Sequence, residues 1–219
     1  MTIEKGEAWG VPATDPSPRL IAEDDAELAA MAAEVMAAGS TAVARVRSGD
    51  ILTTLGLSDV RPEDERFSYS LDLGMAYLGA DPESTDPQPA PFVAHLIAGP
   101  SPRSPSASIG RLLGHGPPIS LAVMNGAWMG DLRLGPRAHP NDGLLDVTEG
   151  RVRFQDRREA AIRARTGSHL PHPALRTKRV GEWKTEFDRP TSVRLDGVEK
   201  GRFRSVRVVV IPDSLTVVA

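Results

Sequence analysis

Histidine and carboxylate side chains are the candidates for metal or nucleophilic chemistry in this chain, which has five histidines and no cysteine. His169 and His172 stand three residues apart, but Pro171 lies between them and disfavours a helix that would bring both to one face. No aspartate or glutamate completes a ligand set at a recognised zinc spacing. Ser168 and Asp142 lie outside any Gly-x-Ser-x-Gly elbow, so hydrolase chemistry has no support. A structural role is favoured for the two loop histidines.

Basic side chains are concentrated in one stretch of the C-terminal half. The cluster consists of Arg151, Arg153, Arg157, Arg158, Arg163 and Arg165. Such clusters are usually solvated faces with local acidic partners, and Asp156 and Glu159 are close in sequence. The alternative is a patch that contacts anionic lipid headgroups. Both interpretations stay open. His95 lies in a predicted strand and is interpreted as a packed core residue.

The first part of the chain predicts a β-α-β-α fragment. Residues 22–38 are rich in alanine, acidic at their start and free of glycine and proline until Gly39, which predicts a helix. Residues 19–21 indicate the end of a strand, and residues 42–46 alternate as a strand does. A short second helix is predicted over residues 49–56.

From residue 67 onward the sequence predicts strands separated by Gly, Pro, Asn and Asp. The predicted strands are residues 69–75, 92–97, 119–124, 144–147, 151–154, 183–187, 192–195, 206–211 and 215–218. One helix, residues 156–165, interrupts this series. Residues 81–91 and 99–108 are rich in Pro, Ser and Asp and predict loops.

A change of composition between residues 57 and 66 predicts a domain boundary. Residues 1–57 would then form a truncated α/β unit and residues 58–219 a β-rich domain. The expected fold class is α+β, with a small α/β fragment packed on a larger antiparallel, β-sandwich-like domain.

Composition and charge exclude several classes of protein. The formal net charge is -3, so no overall basic field favours nucleic acid. No apolar run approaches the roughly 18 residues that a membrane span needs, and the first residues carry no signal core. The absence of cysteine is compatible with a reducing compartment, and a cytoplasmic location is expected.

Four motifs of the C-terminal half resemble, in order and spacing, the signature of the bacterial diacylglycerol kinase-like lipid kinases. They are VMNG at residues 123–126, PRAHPNDGLLDV at 136–147, TGSHLPHP at 166–173, and RP at 189–190 followed by VRLDG at 193–197. The terminal Pro-x-x-Leu-x-Val strand agrees as well. One such loop would be weak support, whereas four in order are specific.

A looser resemblance covers the front of the chain. LIAEDDAEL at residues 20–28 stands where the family has a strand, Gly-Gly-Asp-Gly-Thr and a helix, and SGDILTTLG at 48–56 stands at its Gly-Asn-Asp…Thr-Leu-Gly motif. Asp25 and Asp50 are what the resemblance leaves of a nucleotide site. Before Leu20 the family carries further strand-helix units, for which only 19 residues are present here.

The departures in this front motif argue against ATP. Glu23, Asp24 and Ala26 replace the three glycines, and Glu27 replaces the threonine. Glycines let backbone N–H groups approach phosphates at a helix N-terminus. Added carboxylates would repel a triphosphate by roughly 1–4 kcal/mol per close pair. The same carboxylates stabilise the helix N-terminus itself.

The resemblance also implies a catalytic base and a structural magnesium. The base would be a glutamate directly after Asp196-Gly197, but Val198 follows and the nearest carboxylate is Glu199, which one residue of slip turns to the other face of a strand. If the protein is active, Glu199 is the candidate base, and a bulge could restore its position.

For the magnesium, the resemblance implies the carboxylate of Asp142 and the carbonyl groups of His139 and Leu144. The alternative is that residues 140–143 are a turn in which Asp142 caps its own backbone. Asn125, Trp128 and His169 are the residues predicted at a ligand cleft.

The leading hypothesis is a degenerate, non-catalytic relative of these kinases that binds a lipid, a small ligand or a protein partner. One alternative is an active ATP-dependent lipid kinase with an unusual nucleotide site. The other is a structural oligomerisation module, for which a homodimer that covers an exposed sheet edge is the expected form.

Overall fold

The structure is a computed structural model that describes residues 10–13, 20–57, 67–80, 89–100 and 119–218. The helices of this part of the chain are α1 (Asp25–Ala37), α2 (Asp50–Leu55) and α3 (Arg157–Ala164), with a 3₁₀ turn at Phe154–Asp156. The strands are β1 (Val11–Pro12), β2 (Leu20–Ala22), β3 (Ala42–Val46), β4 (Phe67–Gly79), β5 (Pro89–Phe92), β6 (His95–Gly99), β7 (Leu121–Met124), β8 (Leu145–Gly150), β9 (Leu175–Val180), β10 (Glu182–Leu195) and β11 (Val198–Val218). Within the described ranges, no helix is both long and apolar enough to cross a membrane.

These strands form one mostly antiparallel sheet. Its main path runs β1-β4-β11-β10-β6-β7-β8-β9, and β5 pairs with β4. The exceptions are β3, which is parallel to β11, and β2, which is parallel to β3. A large antiparallel sheet with few helices and a small parallel corner confirms the α+β fold class with a sandwich-like β region.

Strand β11 is 21 residues long and contributes side chains to two hydrophobic cores. Its register shifts between Ile211 and Leu215, so that residues 212–214 stand opposite Asp72 alone. Before this bulge, Val208 packs in the core between β6, β7, β8 and β10; after it, Val217 packs in the core under α1 and α2. The bulge bends the strand, which is why the two predicted strands 206–211 and 215–218 are one element.

The helices and strands predicted for the front of the chain are all present, and one helix boundary differs from the prediction. Strand 42–46 and the short second helix stand where they were predicted. Helix α1 begins at Asp25 instead of residue 22, because Asp24 is its N-cap and residues 20–22 pair with β3. The buried face of α1 includes Leu28, Ala29 and Ala32.

Two predictions for the β region are wrong, and one strand was missed. Residues 151–154 are not a strand, because Gly150 (φ 136°) ends β8 and Phe154 begins a 3₁₀ turn. Predicted strand 92–97 is two strands, since Val93 and Ala94 donate to a side chain instead of to a neighbouring strand. Strand β9 was not predicted, because its polar, mostly exposed residues lack apolar alternation.

Some predictions concern residues that the structure does not describe. Residues 58–66, which contain most of the predicted domain boundary, lie outside the described residues, as do 81–88 and 101–108 of the predicted loops. Residues 89–91, the end of the first predicted loop, belong instead to strand β5.

Candidate functional site

The N-terminus of α1 is closed by the protein's own carboxylates. Asp24 Oδ1 accepts the N–H of Glu27 at 2.9 Å, and Glu27 Oε2 accepts the N–H of Glu23 at 2.7 Å. This is a variant of the capping box, in which a side chain three residues into the helix reaches back to the preceding backbone. Two of the acidic residues in this turn, where the resemblance implies Gly-Gly-Asp-Gly-Thr, therefore accept hydrogen bonds from backbone donors.

Asp25 joins the two helices of the front fragment. Its Oδ2 accepts the N–H of Asp50 at 2.6 Å and of Ile51 at 3.3 Å, at the start of α2. Gly49, just before α2, has φ 140° and leaves room for the Asp25 carboxylate. Oδ1 of Asp25 is buried without a hydrogen-bond partner in the described residues. The two predicted remnants of the nucleotide site are thus in direct contact.

Replacing Gly49 by alanine is expected to lower the free energy of unfolding by about 2–3 kcal/mol, because the new side chain is strained at positive φ and crowds a buried carboxylate. The added Cβ would lie 2.1 Å from Asp25 Oδ1. The matched control is Gly39→Ala, at φ 76° with no heavy atom within 4 Å, which should cost about 1 kcal/mol. Urea unfolding measures both. Equal losses in the two variants would contradict this role of Gly49.

His95 connects α2 to the main sheet. Its Nε2 lies 2.9 Å from Asp50 Oδ2, and Asp50 Oδ1 accepts the N–H of Gly130 at 2.8 Å. His95 is buried, as expected for a core residue, but its partner is a carboxylate of another element. Asp50 therefore links α2, β6 and the turn around Gly130.

Asp196 completes this group of residues from the turn between β10 and β11. Its Oδ2 accepts the N–H of Val93 at 2.7 Å, and its Oδ1 accepts those of Ala94 at 2.9 Å and His95 at 2.8 Å. Its backbone has φ 46°, a conformation that aspartate tolerates in a tight turn. We call Asp25, Asp50, His95 and Asp196 the acidic cluster.

Burial and mutual repulsion set the protonation of this acidic cluster. Burial first, and next the charge of Asp196, raise the pKa of Asp25 from 3.8 to about 7. Burial likewise raises the pKa of Asp196 above its usual range. Burial by itself would lower the pKa of His95, but the hydrogen bond with Asp50 and the surrounding carboxylates outweigh it and raise that pKa above 6.5. These raised pKa values favour the protonated forms of Asp25, His95 and Asp196.

The loop predicted to hold magnesium is organised by hydrogen bonds and an ion pair. Asp142 Oδ1 accepts the N–H of Leu144 at 3.0 Å, which is the turn-capping contact of the alternative interpretation. Oδ2 of Asp142 accepts from the Arg179 guanidinium, whose Nε also lies 3.1 Å from Asp146 Oδ1. His139 Nδ1 accepts the N–H of Asn141 at 3.3 Å. Within the described residues, no group of three or more His, Asp or Glu side chains is arranged to hold a metal ion.

Asp72 connects this loop to the bulge of β11 through hydrogen bonds. This residue was not identified from the sequence. Its carboxylate accepts the N–H of Gly143 at 2.7 Å and of Asp213 at 3.0 Å, and it is 1% exposed. Burial raises its pKa. An aspartate within an otherwise apolar buried run was the signal that could have identified it.

Glu199 points away from the position that the resemblance implies for a base. In the hairpin, Leu195 pairs with Val198 and Arg194 with Glu199, and the register shift comes only after that pair. Glu199 therefore lies on the opposite face from Val198, and its Oε1 accepts from the Ser192 hydroxyl at 2.9 Å.

The three residues predicted at a ligand cleft are not brought together around one cavity. Asn125 is fully buried, and its Nδ2 donates to the carbonyls of Asp72 at 3.0 Å and Val93 at 2.8 Å. Trp128 is half-buried beyond the end of β7. His169 lines an apolar cavity of about 90 Å³ next to α3.

This cavity lies between α3 and β7 and has mostly small apolar walls. Ala160, Ala161 and Ala164 of α3 face Ala122 of β7 across it. His169 Nδ1 is buried without a hydrogen-bond partner among the described residues, and burial lowers the pKa of His169. A neutral imidazole at the wall of an apolar cavity can orient one polar group of a ligand.

Comparison with known proteins agrees with this architecture. Residues 114–219 match the family model described as the YegS C-terminal NAD kinase beta sandwich-like domain. The whole fold is similar to a putative diacylglycerol kinase from Bacillus anthracis str. Sterne, with a TM-score of 0.59 and 13% identity over 90% of this chain and 76% of that chain. A second putative diacylglycerol kinase from the same organism has a TM-score of 0.51 and 12% identity over 80% of this chain and 69% of that one. No curated protein matches the chain in sequence.

The chain has the fold of diacylglycerol kinase-like proteins, and at these identities the structural likeness shows the fold alone. The family match covers just under half of the chain, and the four motifs lie within it; together with the structural neighbours it supports the resemblance to diacylglycerol kinase-like lipid kinases that was predicted from those motifs.

Proposed function

We propose that this protein is a degenerate relative of the lipid kinases that neither binds ATP nor transfers phosphate, and that it binds a small apolar or lipid-like ligand in its C-terminal half. The observation that carries the first part is the closed N-terminus of α1. Glu27 and Asp24 accept backbone N–H groups in the turn where the family's glycines would meet phosphate. An incoming triphosphate would have to displace these bonds and approach the carboxylates of Asp24 and Glu27.

The acidic cluster adds to this barrier. The carboxylate of Asp25 holds the first N–H groups of α2, so the second helix N-terminus of the front fragment is occupied as well. Asp50 and Asp196 lie close to Asp25. A polyanion would therefore enter a region in which burial and neighbouring carboxylates already raise the pKa of Asp25 and disfavour negative charge. Phosphate binding at this end of the sheet is opposed by both contacts and charge.

Two further observations oppose phosphoryl transfer. Val198 occupies the position implied for the base, and Glu199 lies on the other face of the hairpin. The Asp142 carboxylate, implied as a magnesium ligand, already binds the Leu144 N–H and the cationic Arg179. A divalent cation would compete with this guanidinium for the same carboxylate, which supports the proposal that these residues hold no magnesium.

The apolar cavity beside α3 supports the second part of the proposal. Its volume of about 90 Å³ is smaller than the roughly 150 Å³ of apolar cavities that accept benzene-sized guests. It would therefore hold a small apolar group or the end of an alkyl chain, with the rest of the ligand outside.

Thermal unfolding in the presence of Mg-ATP tests the loss of nucleotide binding. We expect no rise in the melting temperature with Mg-ATP, because the α1 turn is self-capped, and a rise with dioctanoylglycerol in detergent. A ligand at a hundred times its Kd adds about 2.7 kcal/mol of stability. A clear rise with Mg-ATP would contradict the proposal.

A cavity-filling variant tests where the lipid binds. Ala161→Leu places a larger side chain in the cavity beside α3 and should abolish the rise with dioctanoylglycerol. Ala37→Leu, at an exposed position of α1, is the matched control and should retain it. An unchanged rise in Ala161→Leu would show that the lipid binds elsewhere.

A further inference from the structure

A groove rich in arginine lies on the main sheet, separate from both the acidic cluster and the apolar cavity. It has a volume of about 340 Å³, and the side chains of Arg151, Arg189, Arg202, Ser120 and Thr191 line it. We call these five residues the arginine groove. No carboxylate belongs to the described lining of this groove. Three arginines and three hydroxyl residues line one space, the third hydroxyl residue being Ser192, which donates to Glu199 at 2.9 Å.

An irregularity in β10 creates one wall of the groove. Pairing with β11 leaves the regular register after Glu186 and resumes at Thr191, so residues 187–190 stand opposite Arg204 alone. The extra residues leave the ladder and present Arg189 at the surface. Pro190 fits this segment because it has no N–H to donate to a strand.

The opposite wall is formed where β8 ends beside the start of β7. The N–H of Gly150 donates to the carbonyl of Ser120 at 3.0 Å, which holds the Ser120 backbone against the residue that precedes Arg151. Gly150 has φ 136°, and the chain leaves β8 at this point. Ser120 and Arg151 therefore share the groove although they are distant in sequence.

None of the three arginines of the groove forms an ion pair within the described residues. Within the described residues, the guanidinium groups of Arg151 and Arg189 make no hydrogen bond or ion pair. Arg202 donates through Nε and Nη2 to the Pro190 carbonyl, at 3.2 and 2.8 Å, which fixes its position without neutralising it. Next to the groove, burial and then the charge of Arg151 lower the pKa of Arg157.

The nearby acids do not fill this site. Glu186 and Asp188 line a larger adjoining cavity of about 650 Å³, which shares Ser120, Arg151, Arg189 and Thr191 with the arginine groove. Glu199 accepts the Ser192 hydroxyl and pairs across the hairpin with Arg194. The arginine groove is the end of this surface that carries cations without carboxylates in its wall.

We propose that the arginine groove binds a phosphate monoester, either as a soluble metabolite or as the headgroup of a lipid. Guanidinium groups match the geometry of phosphate oxygens and can donate two parallel hydrogen bonds to them. The Ser120 hydroxyl supplies a further donor at the same wall, whereas the Thr191 hydroxyl donates to the Arg189 carbonyl at 2.9 Å and can only accept from a ligand. This site does not depend on the nucleotide turn, because the groove and α1 share no residue.

Two probes distinguish the sources of the phosphate. Glycerol 3-phosphate, titrated by calorimetry, represents a soluble monoester. Phosphatidylcholine vesicles that contain phosphatidate, in a sedimentation assay, represent a headgroup, with pure phosphatidylcholine vesicles as the blank. The test variant is Arg151→Gln with Arg189→Gln. Its matched control is Arg158→Gln with Arg176→Gln, which removes the same charge from exposed positions outside the groove.

We expect saturable binding of at least one probe to the wild-type and control proteins, and binding about tenfold weaker or more in the Arg151/Arg189 variant. Binding should also weaken with salt. Binding of both probes, or of glycerol 3-phosphate alone, supports a monoester site open to soluble ligands; binding of the vesicles alone supports a headgroup site. No binding of either probe, or equal losses in the two double variants, would overturn the proposal. The Mg-ATP scan tests the proposed function separately, so failure of one does not imply failure of the other.

Discussion

Replacing Asp196 by alanine is expected to lower the free energy of unfolding by about 3–5 kcal/mol. The carboxylate accepts the N–H groups of Val93, Ala94 and His95, which form the break between β5 and β6. Removing it leaves three donors without partners, at about 1–3 kcal/mol for each that is fully buried. Relief of a buried negative charge next to Asp25 offsets part of this loss. Urea unfolding measures the change.

The Asp196→Asn variant separates hydrogen bonding from charge. Its single carbonyl oxygen can still accept from Ala94 and His95 in place of Oδ1, whereas the amide group would face the Val93 N–H. Asparagine also tolerates the positive φ of this turn. We expect it to lose about half as much stability as the alanine variant. If both substitutions cost less than about 1 kcal/mol, Asp196 does not hold the β5–β6 break.

Replacing Asp25 by asparagine is expected to flatten the pH dependence of stability. The pKa of Asp25 is raised from 3.8 to about 7, first by burial and then by the charge of Asp196. In the unfolded chain this carboxyl loses its proton near the lower value, and in the folded chain near the higher one. Folding therefore takes up a proton in between, so the stability of the wild-type protein falls as pH rises from 3.8 to about 7.

The full size of this effect is about 4 kcal/mol, from about 1.4 kcal/mol for each pH unit between the two pKa values. The raised pKa of His95 acts in the same direction, because the stability from its charged form is lost as pH rises through the folded-state pKa. The difference between wild type and Asp25→Asn isolates Asp25. Relative to wild type, the variant should gain stability steadily from about pH 4 to about pH 8.

Urea unfolding across this range measures the difference. Asp24→Asn is the matched control, because it removes one carboxylate from an exposed position of the same turn while asparagine remains a good N-cap. Parallel profiles for wild type and Asp25→Asn would show that Asp25 does not carry the proton that folding takes up.

The family resemblance, the fold class and the self-capped N-terminus of α1 were predictable from the sequence, because each depends on short local patterns. Four motifs with their spacing identified the C-terminal domain family. The acidic start of α1 predicted a self-stabilised helix N-terminus, since a capping side chain bonds backbone only three or four residues away. Helix α1, helix α2 and strand β3 followed from periodicity and from glycine stops.

Only the tertiary structure determined which polar groups meet. Asp196 holds backbone 103 residues earlier in the chain, and His95 meets Asp50 through pairings of β6 that no local pattern encodes. Arg179 reaches Asp142 because β9, a strand without apolar alternation, pairs with β8. The arginine groove depends on a register shift in β10. These contacts arise from strand pairing between distant segments, and pairing is decided by the packing of the whole sheet, whereas propensity, caps and periodicity act over a few residues.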